Sequence, residues 1–134
     1  MTDEEVAAVL ERLPALVNGD GSLVRRGRYL TTRFLIGAGA LPVLVEVREG
    51  AIADVAVSPP PMQSWRFAIR AGADAWRRFW QAEPEPGYHD LLAMTRFGTA
   101  RIEGDLHPLM ANLRYVKEVL EAPRRAGAGG GDGA

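Results

Sequence analysis

Two runs of alternating valines joined by a Glu-Gly pair constrain this chain more than any other feature. In "LPVLVEVREG", Val43, Val45 and Val47 recur at every second position; Glu49-Gly50 follows as a tight turn. In "AIADVAVSPP", Ala53, Val55 and Val57 then repeat the pattern. A period of two puts such residues on one face of a strand, so the segment predicts a hairpin with one buried face. The preceding "GRYLTTRFLI" (27–36) is rich in β-branched and aromatic residues and reads as another strand. Glycines in "GAGAL" (37–41) supply the turn between them. Together the three strands most simply form an antiparallel meander. "PPP" at 59–61 closes it, because proline cannot continue a ladder.

All three tryptophans of the chain lie in "WRFAIRAGADAWRRFW" (65–80). Its first part alternates: Trp65, Phe67 and Ile69 point one way, Arg66, Ala68 and Arg70 the other. After Gly72 the period changes. Trp76, Phe79 and Trp80 stand at i, i+3 and i+4, opposite Asp74, Arg77, Arg78 and Gln81, which is one amphipathic helix. "EPEPG" (83–87) interrupts, and His89 or Asp90 caps a short helix through "LLAMTRF". "TARIEGDL" (99–106) predicts the fifth strand, with Ile102 inward. Pro108 suits the first turn of a final helix whose apolar face is Leu109, Met110, Leu113, Val116 and Leu120. At the other end, residues 3–17 read as one helix: Thr2 and Glu5 have capping-box spacing, and Val6, Leu10, Leu13 and Val17 recur at helical period. The expected order is α-β-β-β-β-α-α-β-α. It predicts an α+β fold in which helices cover one face of a five-stranded, mostly antiparallel sheet.

The chain of 134 residues is long enough for one domain. The reading assigns residues 1–122 to it and 123–134, ending in "AGAGGGDGA", to a flexible tail. Without cysteine there is no disulfide framework, thiolate nucleophile or thiolate metal site. Net charge is −1, with signs interspersed and no basic face, so nucleic acid is not an expected partner. No apolar run is long enough to span a bilayer. "MTDEEVAAVLERL" is acidic where an export signal would be basic, so the expected location is cytoplasmic.

The aromatic cluster admits two readings. It is either solid core or the wall of an apolar pocket, and pattern alone does not separate them. Three apolar helical faces after residue 73 compete for one sheet. Their large residues include the thioethers Met94 and Met110, which suit adaptable surfaces. Polar candidates are sparse. In "GYHDL" (87–91), Tyr88, His89 and Asp90 are adjacent, which fits a helix N-cap better than an acid–base set. In "EGDLHP" (103–108), Glu103, Asp105 and His107 alternate faces and fit turn chemistry better than a metal site. No metal and no cofactor are expected.

The stretch "ADAWRRFWQAEPEPGYHDLLAM" followed by "TARIEGDLHPLMANLRYVKEVL" resembles the sterol carrier protein 2 (SCP2)-like domain, in a short bacterial branch. The resemblance extends over about residues 20–122. It rests on the long aromatic segment, on the glycine-aspartate step in "ARIEGDL" and on the order of elements. It implies a non-catalytic fold that encloses an apolar cavity between sheet and helices for acyl chains, sterols or other lipids. The expected partner is therefore a hydrophobic small molecule; oligomeric state stays open. Lining candidates come from the faces read above: Trp65 and Phe67 from the sheet, and Trp76, Phe79 and Trp80 from the facing helix. Leu91, Leu92, Met94 and Phe97 follow from the short helix, and Leu109, Met110, Leu113 and Val116 from the last one. Arg33, Tyr88, His89 or Asn112 would meet a polar end at the mouth. Two alternatives stand beside this reading. One is a small enzyme acting on a ring ketone with Asp90 or His89 as base. The other is a protein-interaction module whose aromatic cluster is solid core.

Overall fold

The computed structural model describes residues 1–128. Its N-terminal region is three helices where one was expected: α1 (Asp3–Leu10), α2 (Leu13–Asn18) and α3 (Gly21–Arg26). Thr2 and Glu5 form the capping box at the start of α1 as the spacing required. The long helix breaks because Pro14, in the first turn of α2, has no N–H and its ring excludes the carbonyl one turn back. Asp20 starts α3 by accepting a hydrogen bond from the Leu23 N–H.

The strands follow as β1 (Thr32–Ala38), β2 (Leu41–Arg48) and β3 (Ala51–Val57), an antiparallel meander as read. The first starts later than expected, because residues 27–31 turn out of α3. Glu49 (φ 51°) and Gly50 (φ 83°) join β2 to β3 in the left-handed conformation that two-residue hairpins favour. Val43 pairs with Val57 and Val45 with Val55, but the register shifts between Glu46 and Val47. Val47 then faces Ile52. Ile52 is therefore the buried residue and Ala53 is exposed, the reverse of a strict alternation through Ala53.

β4 (Phe67–Ala71) pairs with β1 in parallel, and β5 (Ala100–Gly104) pairs with β4 antiparallel, giving the order β3-β2-β1-β4-β5. Because β3 and β4 run the same way with two strands between them, residues 58–66 must return the length of the sheet. An extended run of that size reaches about 30 Å, which suffices. Gly104 (φ 95°) ends β5 where a side chain would collide with the Arg66 carbonyl oxygen, at 2.6 Å. Helices α4 (Ala73–Phe79), α5 (Leu91–Arg96), α6 (His107–Ala111) and α7 (Leu113–Arg125) complete the α+β fold. Helix α7 runs three residues into the expected tail. Ala122 and Pro123 are buried, and residues 129–134 lie outside the described residues.

One face of the sheet carries the main core. Phe34, Ile36, Val43, Val45, Val47, Phe67 and Ile69 pack there with the buried residues of α1, α2, α4, α5 and α7. The other face carries a small second cluster: Leu35, Leu44 and Ala68, with Ala56 and Trp65 against them.

Candidate functional site

The helix-covered face is where the expected cavity would lie, and it is filled. Phe34 and Phe67, neighbours across β1 and β4, stack at 5.0 Å. Trp76 stacks on Trp80 at 5.5 Å and meets the edge of Phe79 at 5.7 Å. Each indole also has a fixed polar contact. Trp76 Nε1 donates to the Gly37 carbonyl at 2.9 Å, and Trp80 Nε1 donates to the Leu120 carbonyl at 2.9 Å. The first bond ties α4 to β1, the second ties it to α7. Phe67, Trp76, Trp80, Met94, Leu109 and Val116 expose no surface. Their neighbours shield them fully from water, as in an ordinary protein interior.

Eight of the expected lining residues meet in this one cluster: those six with Phe79 and Leu91. Leu113 packs half-buried at its margin and Leu92 is half-buried on α5. Phe97 is 66% exposed and Met110 54%, so neither faces inward. Phe97 caps α5, where the helical period has ended, and Met110 lies on the outer side of the short α6, which stops before α7 begins. Trp65 sits on the opposite face of the sheet. It precedes β4, so the alternation that aligned it with Phe67 does not reach it. The four candidates for a polar mouth are scattered. Arg33 is on the far face of the sheet, Tyr88 packs against the core, His89 is exposed, and Asn112 donates to the Pro108 carbonyl.

The loop before α5 is held by charges that tie it to α7. Asp90 caps α5 by accepting the Ala93 N–H at 2.8 Å and pairs with Lys117 at 3.2 Å. Burial pushes its carboxyl upward, but the hydrogen bonds and the ammonium outweigh burial and hold it below the usual carboxylate range. An anchored, readily ionised carboxylate of this kind is poorly matched to proton abstraction near neutral pH. Arg124 donates to the Phe79 carbonyl at 2.6 and 2.9 Å and to the His89 carbonyl at 3.0 Å, while its guanidinium lies 4.8 Å from the Phe79 ring centroid. This clamp was missed in the sequence because residues 123–134 were assigned to a tail. The signal was present in Ala122, which carries the helical spacing of Val119 past Leu120. Beside the clamp, a shallow groove of about 350 Å³ is lined by His89, Asp90, Lys117 and Glu121 among others. Burial raises the Glu121 carboxyl despite nearby Arg124 and Lys117.

A second groove, of about 300 Å³, opens on the far face of the sheet, lined by Thr31, Thr32, Arg33, Glu46, Val47, Ser64, Trp65 and Arg66. The buried cluster against which Trp65 packs was legible in outline. "FLI" and "VLV" place Leu35 and Leu44 between inward residues, and an unbroken apolar run marks a strand that is apolar on both sides.

No family model and no curated protein sequence matches the chain. Solved structures do. Sterol carrier protein 2 superposes with a TM-score of 0.68 at 15% identity, over 87% of this chain and 94% of that one. A conserved hypothetical protein from Thermus thermophilus, described as a candidate sterol carrier protein, gives 0.64 at 12% identity over 94% and 91%. The UbiJ SCP2 ubiquinone synthesis protein gives 0.57 at 15% identity over 90% and 92%. The chain therefore has the SCP2-like fold, and at these identities the likeness is one of fold alone. Among the described residues no helix is long and apolar enough to cross a membrane.

Proposed function

We propose that this protein is a non-catalytic carrier that holds a hydrophobic small molecule, such as an acyl chain or a sterol-like ring system, between its helices and its sheet. The observation that carries this reading is the SCP2-like architecture over nearly the whole described chain, with an uninterrupted apolar sheet face beneath the helices. The space for a guest has to be opened. The elements best suited to move are α5 and α6, of six and five residues. Each is too short to be stable alone and depends on what it packs against. Lifting them exposes the apolar side chains they bury, Leu91, Met94 and Leu109, with Leu92, Phe97 and Met110 at the rim. Removing a guest's apolar surface from water is worth roughly 25 cal/mol per Å², which offsets the separation of these contacts without a charged anchor.

The filled interior also favours a second reading, in which the aromatic cluster is solid core and the protein works by binding another protein. Native mass spectrometry of protein purified from its host, with denaturing extraction of any bound lipid, separates the two. A stoichiometric apolar guest, diminished in Trp80→Ala or Phe79→Ala, is the expected result. A guest-free mass together with unchanged tryptophan emission across fatty acids, acyl-CoAs and sterols would overturn the carrier reading.

A further inference from the structure

The groove on the far face of the sheet has an aromatic wall and an unused charge. Trp65, near the end of the returning connection 58–66, forms its wall. Trp65 in turn packs against the small buried cluster of Leu35, Leu44 and Ala68. Trp76 and Trp80 spend their indole N–H groups on backbone carbonyls, whereas that of Trp65 has no partner among the described residues. Arg33 is half-buried at the groove, and its guanidinium has no ion-pair or hydrogen-bond partner among the described residues. Its neighbour across β1 and β2 is Glu46, but the Glu46 carboxylate pairs with Arg48 at 2.7 Å. The other arginine of the groove, Arg66, is already paired with Asp105 at 2.6 Å. The groove thus offers one uncompensated cation beside a mostly apolar surface. A partly desolvated guanidinium without a partner favours an anion, and a planar carboxylate matches its paired donors.

We propose that this groove binds a small amphipathic acid, with its carboxylate on Arg33 and its apolar body against Trp65. The site lies across the sheet from the space assigned to a carried guest and is independent of it. A volume of about 300 Å³ suits a single ring with a short chain.

The test uses 4-phenylbutyrate and its neutral counterpart 4-phenylbutanol, titrated into the ¹⁵N-labelled full chain. The three indole N–H signals are followed, with that of Trp65 assigned through Trp65→Phe. The expected result is a saturable shift of the Trp65 signal with the acid and a much weaker response to the alcohol. Arg33→Gln should weaken acid binding about tenfold, the size of one charge-assisted hydrogen bond. Arg66→Gln, which removes a guanidinium already paired, should change it little. A backbone spectrum otherwise like wild type shows that each variant is folded. A shift confined to the Trp76 and Trp80 signals would overturn this site while supporting an interior guest. Equal binding of acid and alcohol, or no effect of Arg33→Gln, would overturn the anion assignment. No shift in any indole signal would overturn the groove.

Discussion

Replacing Tyr115 by phenylalanine should destabilise the protein at neutral pH and leave it nearly as stable as wild type at about pH 11. Tyr115 on α7 is buried, and its hydroxyl donates to the Gly50 carbonyl in the β2–β3 turn at 2.6 Å, fastening the last helix to the hairpin. The ring fits against Gly27, where a side-chain carbon would stand 2.4 Å from it, and phenylalanine keeps that fit. Only the hydrogen bond is removed, leaving a buried carbonyl unpartnered, at a cost of about 1.5 kcal/mol. With roughly 2.1 cal/mol/K of unfolding entropy per residue, Tm should fall by about 5 °C. Burial pushes the Tyr115 hydroxyl up to about 12 from its ordinary 10.0. Between those values the unfolded chain has released the proton and the folded chain still holds it, so wild-type stability falls as pH rises. At pH 11 the loss is about 1.4 kcal/mol, which nearly cancels the advantage of the hydroxyl; the variant has no such term at this position. Urea unfolding followed by circular dichroism from pH 8 to 11.5 measures both curves. Two curves that stay parallel would refute the assignment of the alkaline loss to Tyr115.

Two further outcomes follow from side chains that hold edges and ends. Asn18 on α2 accepts the Ile52 N–H at 2.8 Å and donates to the Ile52 carbonyl at 3.0 Å, occupying the outer edge of β3 as a neighbouring strand would. Asn18→Ala should cost about 2 kcal/mol in urea unfolding and promote concentration-dependent association in size-exclusion chromatography, whereas loss of stability with no association would show the edge to be protected by other means. Asp90 contributes stability above its unfolded value near 3.8, and that contribution is lost as pH falls through its lower folded value. Asp90→Asn keeps the cap but not the charge on Lys117. The stability difference from wild type at pH 6 should therefore shrink as pH falls below 3.8, and a difference independent of pH would mean that the ion pair contributes nothing.

Much of the fold was legible because it depends on local periodicity. The β2–β3 hairpin follows from alternating valines and a Glu-Gly turn. The amphipathic α4 follows from Trp76, Phe79 and Trp80, and the capping box at Thr2 from spacing alone. The misreadings were also local in origin. Pro14 broke a helix whose apolar period ran straight through it, and a shifted register exchanged Ile52 for Ala53. Trp65 continued an alternation that belongs to a strand beginning two residues later. The candidate site was read less well. The residues that converge were named, but Phe97 and Met110 lie where short helices end, and there helical period no longer predicts direction.

The sequence by itself determined which segments become strands and helices and which face of each is apolar, because side-chain period is a property of a few consecutive residues. Only the tertiary structure decided that β4 enters beside β1 in parallel, since the pairing of distant strands depends on where residues 58–66 can carry the chain. It also decided that the tryptophans of α4 close over one face while Trp65 remains on the other beside Arg33. A pocket is space left between elements packed from distant parts of the chain, and no local pattern records its volume.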